Sequence, residues 1–281
     1  KQRQIVELPY FDDLRIACGH FRTSSAEVME HRALPLSYGQ LDPARHFIAR
    51  ASGNSMNGGK QPIRDGDFLL LELLTANNAG SISGHTVAIE RQDEYGDDQY
   101  LLRVVVKQGP GRYLLKANNP EYEDLPADDS MRTLARFKHI IDPLDMAVGQ
   151  SFMREEIPGL FGEIFNAGSW HSGHVVLNEQ NAHVLLVTLN KQGKAEDHRY
   201  TDYWIDENTF HWQSQNSTTP SSKRGREIIE HEKAGRKIHL FVREHKLAAG
   251  KAAPFVYFGP VNYQSHQGSE PMSVVFTLEN K

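Results

Sequence analysis

The sequence predicts a mainly β protein built as two domains. Short runs rich in Val, Ile, Leu and Tyr recur along the chain and are broken by Gly, Asp and Asn. Two hairpin signals join pairs of these runs: Gln108-Gly109-Pro110-Gly111 and Asn178-Glu179-Gln180-Asn181. A length of 281 residues, with 39% hydrophobic and 24% charged content, supplies two cores and excludes a disordered chain.

In the first half, strands are read at 68–74 (FLLLELL), 86–92 (TVAIERQ), 100–107 (YLLRVVVK) and 112–118 (RYLLKAN). Only 24–33 and 127–138 carry a helix-like pattern. The stretch 142–162 mixes Pro, Gly and charge with little periodicity, so the boundary falls there, dividing 1–149 from 150–281. Beyond it, 174–177 and 183–190 flank the second hairpin signal, and 238–244, 254–259 and 273–280 are further strands. Ser221 and Ser222 can cap a helix of about 12 residues running through 226–234 and stopped by Gly235. A β-barrel or curved sheet with one helix is the economical arrangement of this half.

Composition narrows the function. No run approaches the roughly 18 apolar residues of a spanning helix, so no membrane partner is expected. The start, KQRQIVELPYFDD, has neither a methionine nor the apolar core of a signal peptide; a piece of a longer protein, or a processed product, is expected. A single cysteine excludes an internal disulfide and a cysteine-built zinc site, and agrees with a cytoplasmic protein. His171, His174, His231 and His239 are the histidines placed for metal, but no HExxH helix or Cys pair accompanies them. Neither metal nor cofactor is expected. The net charge of -5 splits into 17 basic against 21 acidic residues up to 150, and 14 against 15 beyond it. Within 223–251, however, nine Lys/Arg face four Glu.

The segment FIARASGNSMNGGKQPIRDGDFLLLE (47–72) is the most specific signal. A Gly-Asn-Ser-Met turn between strands can expose the Ser55 hydroxyl beside free backbone N–H groups, a nucleophile and an oxyanion site together. Ser55-Met56, then Asp65-Gly66-Asp67 and a hydrophobic strand, resemble the LexA/UmuD family of Ser–Lys autopeptidases. Two further segments share the resemblance: Lys116–Tyr122 is similar to the family's strand-to-loop exit, and Ala17–Phe21 to its self-cleavage segment. The resemblance covers about residues 8–141. It implies Ser55 as nucleophile, Cys18–Gly19 as scissile bond, and a homodimer by analogy.

One departure stands at the base. The family's buried lysine corresponds here to Arg103. A desolvated lysine can take the serine proton at neutral pH, whereas an arginine stays protonated and cannot. Lys107 shares the strand parity but lies four residues on, about 13 Å away at about 3.3 Å per residue. Lys60 is a weaker substitute. The expectation is an inactive or very slow peptidase-like domain.

In the second half the strand FHWQSQ alternates Phe210, Trp212 and Ser214 with His211, Gln213 and Gln215. Trp212 is the residue expected to stack on a base, and Gln213, Gln215 and Asn216 are expected to read base edges. Lys223, Arg224 and Arg226 sit in the first helical turn, where the macrodipole disfavours cations unless an anion binds there. Ser222, Arg224, Arg226 and Arg243 are therefore the expected phosphate contacts, and double-stranded DNA the expected partner.

Residues 154–280 resemble the C-terminal domain appended to superfamily II helicases in bacterial restriction and defence proteins, including helicase–nuclease enzymes that cut DNA carrying modified cytosine. The residues that carry the resemblance are Ile157–Gly162, Tyr203-Trp204, Phe210–Asn216, Ile238–Arg243, Pro254–Gly259 and Ser269–Met272. It implies an SRA/PUA-like β-barrel that reads a modified base, with helicase or nuclease domains or subunits as partners. The chain is thus read as the DNA-binding specificity module of a restriction or antiviral defence protein, carrying a degenerate peptidase-like domain. The alternatives are a regulated autopeptidase cleaving at Cys18–Gly19 and a cleavage-dead adaptor.

Overall fold

The structure, a computed structural model, describes residues 5–23, 30–190 and 201–279. The chain is mainly β and divides into two compact units that meet in sequence between Met146 and Ala147. Among the described residues no helix is long and apolar enough to cross a membrane.

The first unit contains β1 (Ile5–Phe11), α1 (Leu14–Thr23), β2 (Glu30–Pro35), β3 (His46–Arg50), β4 (Phe68–Leu73), β5 (Thr86–Gln92), β6 (Asp98–Gly109), β7 (Arg112–Lys116), β8 (Leu125–Pro126), β9 (Arg132–Ile141) and α2 (Pro143–Met146). The strands form one sheet in the order β2-β1-β3-β4-β9-β5-β6-β7-β8. Its centre is apolar on both faces, and strict alternation sorts the side chains. Phe47, Ala49, Leu69 and Leu71 enter one core, which holds Met56 and Ile63 as well. Ile48 and Leu70, between them in sequence, enter the other with Leu8, Leu34 and Ile141. Helix α1 joins the first core through Leu14, Ala17 and Phe21, spaced three and four residues apart on one helical face.

Two of the expected helices differ. The 127–138 pattern becomes β9, which is held between β4 and β5; pairing on both sides overrides its local propensity. Of 24–33, residues 24–29 lie outside the described residues, and the rest opens β2. The 10-residue α1 carries the segment read above as a cleavage site. The hairpin at Gln108–Gly111 forms between β6 and β7, with Gly111 at φ 65°.

The second unit contains β10 (Ser151–Phe152), α3 (Ala167–Trp170), β11 (His174–Leu177), β12 (Ala182–Asn190), β13 (Tyr203–Trp204), β14 (Thr209–Gln213), α4 (Lys223–Ile229), β15 (Lys237–His245), β16 (Leu247–Ala248), β17 (Lys251–Ala252), β18 (Phe255–Gln267) and β19 (Ser273–Leu278). Its main sheet runs β11-β12-β15-β18-β19-β14-β13, with β10 also on β18, and only β12–β15 is parallel within it. This path is open: among the described residues no pairing joins β11 to β13, so the strands do not close into the expected barrel. The core gathers Leu185, Phe210, Trp212, Leu240, Val274 and Phe276, and Ile228 of α4 packs into it.

Helix α4 has seven residues rather than about 12. Beyond Ile229 the chain turns, and the buried His231 holds the turn in place. Its Nδ1 lies 2.9 Å from the Arg236 carbonyl, and its Nε2 accepts the Tyr263 N–H at 2.9 Å. Gly225 lets the helix approach its own lead-in loop, since a Cβ there would lie 1.9 Å from the Thr219 carbonyl oxygen.

Candidate functional site

Ser55 sits on the long turn between β3 and β4. The turn is closed at its base by Ala51 N–H to Asp67 O (2.8 Å) and Gly66 N–H to Ala51 O (2.8 Å). Asp65 and Asp67 hold its shape by accepting the N–H groups of Gly53 and Arg64, both at 2.8 Å. A second clamp comes from the loop after β7. The N–H groups of Asn118 and Asn119 both donate to the Ser55 carbonyl, at 3.1 and 3.0 Å, and Asn119 Nδ2 donates to Asn54 O at 3.1 Å. Gly58 makes this approach feasible, because a Cβ there would lie 2.3 Å from Asn118 O. Met56 is buried and anchors the turn in the core. The backbone of Ser55 is thus fixed from two sides.

Arg103 projects from β6 and is 5% exposed. Its Nη1 donates to Ser55 Oγ at 2.9 Å and to Leu102 O at 2.8 Å, while its buried Nε has no partner. No carboxylate of the described residues lies within salt-bridge distance of this guanidinium. Burial, and then the neighbouring Arg91, lower its pKa from the usual arginine range. The contact fixes the polarity of the pair: the guanidinium donates to the hydroxyl oxygen and has no lone pair with which to take its proton. Lys60 and Lys107 are both exposed, and neither contacts Ser55 among the hydrogen bonds of the described residues.

A cleft of about 250 Å³ opens beside Ser55. Asp13, Leu14 and Arg15, at the start of α1, border it; Cys18 and Gly19 do not. The Cys18–Gly19 peptide lies inside α1, and the Cys18 side chain is outside the described residues. A scissile bond facing Ser55 was expected from sequence. In the structure that segment is helical and docked by Leu14, Ala17 and Phe21 instead, so α1 would have to unwind before its carbonyls met the hydroxyl.

The second unit distributes its expected residues differently. Trp212 is 4% exposed, edge-on to His174 (centroids 5.5 Å apart) and against Phe276. It is a core residue, not a stacking platform, because alternation along β14 sends it inward with Phe210 and Ser214. Gln213 is half-buried, and its N–H donates to Asp202 Oδ1 at 2.9 Å. Gln215 is exposed but has both ends of its amide engaged, with Ser172 Oγ at 3.0 Å and Arg224 Nη1 at 2.6 Å. Ser222 caps α4, accepting the N–H of Gly225 at 3.1 Å and donating to Thr219 O at 2.7 Å. Arg243 is tied to Thr188 Oγ1 and the Ala253 carbonyl, both at 3.0 Å, and lies over the Phe255 ring at 4.2 Å. These contacts give Arg243 a packing role within the second unit. Asn216, Lys223 and Arg226 remain exposed, and make no side-chain hydrogen bond among the described residues.

A buried polar group escaped the sequence reading. His174 Nε2 and His183 Nδ1 are 2.6 Å apart, and His183 Nε2 lies 3.2 Å from Arg236 Nη1 and 3.4 Å from Glu227 Oε2. Burial, followed by the Arg236 charge, pushes His183 down to about 3, and burial lowers His174 well below the ordinary histidine range. Both imidazoles are therefore neutral near pH 7. If Arg236 donates to His183 Nε2, the His183 proton sits on Nδ1 and points at His174, leaving His174 Nδ1–H unpartnered as the structure shows. Four separated segments supply these residues, and no spacing in the sequence announces them. His231 and His239 are likewise engaged by protein groups, His239 Nδ1 lying 2.7 Å from Tyr257 Oη. No group of three metal-ligating side chains occurs among the described residues.

Comparison with known proteins divides the chain where the structure does. Residues 9–137 match the Peptidase S24-like family, and residues 146–281 match a domain of unknown function, DUF3427. No curated protein matches the chain. The protein therefore carries a Peptidase S24-like domain, of the LexA/UmuD type, at its N-terminal end and a DUF3427 domain at its C-terminal end.

Proposed function

We propose that this chain is a non-catalytic DNA-binding module of a bacterial restriction or anti-phage system, in which the S24-like domain has become a scaffold or regulator. The observation that carries the reading is the hydrogen bond from Arg103 to Ser55. A serine peptidase needs a group that removes the hydroxyl proton as the bond to the carbonyl carbon forms. Here the group in that place is a cation that can only donate. The function then lies in what the chain binds.

DNA is favoured by the 223–251 segment, with nine Lys/Arg against four Glu, and by the exposure of Asn216, Lys223 and Arg226. Long-range attraction to phosphates is carried by such exposed cations, not by arginines locked in packing. A reader of modified bases remains part of the proposal through Gln213 and Asn216, without Trp212. Fluorescence anisotropy with unmodified and cytosine-modified duplexes tests it. Salt-dependent binding is expected, and each of K223A and R226A should lower the salt slope by about one. Binding that ignores salt, or no binding to any duplex, removes the DNA reading.

The rival reading, a regulated autopeptidase, draws on the rigid two-sided clamp around Ser55. Intact-mass measurement during long incubation separates the two. The unmodified chain is expected to stay whole, and Arg103→Lys to be the variant in which a Ser55-dependent product can arise. Spontaneous cleavage that Ser55→Ala abolishes would establish the rival.

A further inference from the structure

The structure sorts the nine Lys and Arg of 223–251 by what they touch. Arg236 has Glu227 and His183, Lys237 has Glu279, Arg224 has Gln215, and Arg243 lies over Phe255. Lys223, Arg226, Lys233, Lys246 and Lys251 make no side-chain hydrogen bond or ion pair among the described residues. The first three share α4 and the turn after it with Glu230 and Glu232. Lys246 and Lys251 belong to a different place, where residues 245–252 contain no acid. Glu244 is the nearest carboxylate in sequence, and it pairs with neither lysine.

That place is the hairpin of β16 and β17, which pair only with each other and stand apart from both large sheets. Leu247 lies opposite Ala252 and Ala248 opposite Lys251. The Ala253 N–H donates to the Lys246 carbonyl at 3.0 Å, which carries the ladder one step further. Ala249 and Gly250 close the hairpin at φ 49° and 77°, both positive as a tight two-residue turn of this hand requires. Every residue from Glu244 to Ala252 is exposed. Alternation sets Lys246, Ala248, Lys251 and Ala253 on one face of the ribbon, and the apolar pair Leu247 and Ala252 on the other. On the first face each lysine stands across from an alanine, so the neighbour neither neutralises the charge nor blocks approach. The two lysines are diagonal neighbours, roughly 7–8 Å apart at the backbone, and repel one another.

A DNA duplex supplies what this face lacks. The major groove is about 12 Å wide and admits a two-stranded ribbon, whereas the minor groove, about 6 Å wide, is narrower than such a ribbon with its side chains. Phosphates line the groove walls, and guanine N7 and O6 on its floor accept hydrogen bonds from lysine. We infer that the β16–β17 ribbon enters the DNA major groove with the face of Lys246 and Lys251 turned to the base edges and the phosphate walls, its alanines allowing the close approach. The inference rests on the DNA-binding reading above, and it names the element and the groove through which the duplex is held.

Fluorescence anisotropy of the full chain on a mixed-sequence duplex, repeated over a salt series, tests it. The double variant K246Q/K251Q is expected to lower the salt slope by about two and to weaken binding at least about 10-fold at low salt. Lys107→Gln, which removes an exposed lysine of the first unit, should leave both unchanged. Equal urea midpoints for the double variant and the unmodified chain show that any lost binding is not lost folding. A second readout needs no variant: methyl green, which occupies the major groove, should displace the unmodified chain, and distamycin, which occupies the minor groove, should not. A slope unmoved in K246Q/K251Q, an equal loss in Lys107→Gln, or displacement by distamycin in place of methyl green overturns the inference and leaves the DNA-binding reading standing. Failure of the unmodified chain to bind any duplex removes both.

Discussion

The two units each bury a polar centre around an arginine, and they differ in what balances it. In the second unit Arg236 has Glu227 within 3.9 Å and His183 at 3.2 Å, and the acid, the imidazoles and the guanidinium share one network. In the first, Arg103 has a serine oxygen and a backbone carbonyl as hydrogen-bond partners, and an acid, Asp124, acts on it only through its charge, without a salt bridge. A buried charge without a partner is costly, because desolvation is not repaid. The balanced centre is what a fold needs to hold distant segments together. A polar residue inside a domain is thus informative about function mainly when its compensation is missing.

The sharpest test of this contrast is the residue at the edge of the balanced centre. Trp212 packs against His174 and Phe276, so Trp212→Ala should destabilise the second unit by about 3–5 kcal/mol, the cost of emptying an aromatic site in a core. Chemical denaturation followed by circular dichroism measures it. Trp212→Phe should recover most of that loss and leave DNA affinity unchanged. A variant that keeps its stability and loses DNA binding would instead make Trp212 a base-stacking residue.

Acid should separate the units next. His183 is held down to about 3 and His239 to about 4, against about 6.5 when unfolded. Between those values the unfolded chain takes up protons that the folded unit refuses. Stability from these groups is therefore complete above about pH 6.5 and is lost as pH falls towards 3, by up to about 1.4 kcal/mol per pH unit for each histidine. All three tryptophans, Trp170, Trp204 and Trp212, lie in the second unit, so tryptophan fluorescence reports that unit alone. Its urea midpoint should fall steadily from pH 6.5 to 4. A flat midpoint across that range would mean the imidazoles are solvated and the centre is not closed.

These features were unequally legible in the sequence. The strands around Ser55 follow from apolar alternation bounded by turn residues, and the serine turn from its own Gly, Asn and Asp. The spacing of Leu14, Ala17 and Phe21 fits the helix they form, but in the sequence Ala17–Phe21 stands out only by its likeness to a cleavage segment. For 127–138 the deciding influence was pairing with β4 and β5, which no local pattern contains. Alternation in β14 groups Trp212 with Phe210, yet which face meets the core depends on β19 and α4. The centre formed by His174, His183, Glu227 and Arg236 has no sequence signature at all. Its members come together only because β12 pairs in parallel with β15, across a connection that includes α4.

The smallest expected effect settles what the start of α4 is for. Ser222 accepts the Gly225 N–H and is also bonded to Thr219, so Ser222→Ala should cost about 1 kcal/mol, as lost N-caps do. Ser222→Asp keeps the acceptor for the Gly225 N–H, though not the donation to Thr219 O, while adding a negative charge next to Lys223 and Arg224. A structural role alone predicts that the Asp variant keeps the part of the stability owed to the accepted Gly225 N–H, with DNA affinity unmoved by both. A phosphate seated near this turn predicts the same stability for the Asp variant as a structural role does, but weaker DNA binding, because the new carboxylate would repel it. The cap and the contact are thus distinguished by one substitution read in two assays, and only the second outcome keeps Ser222 and Arg224 within the DNA surface.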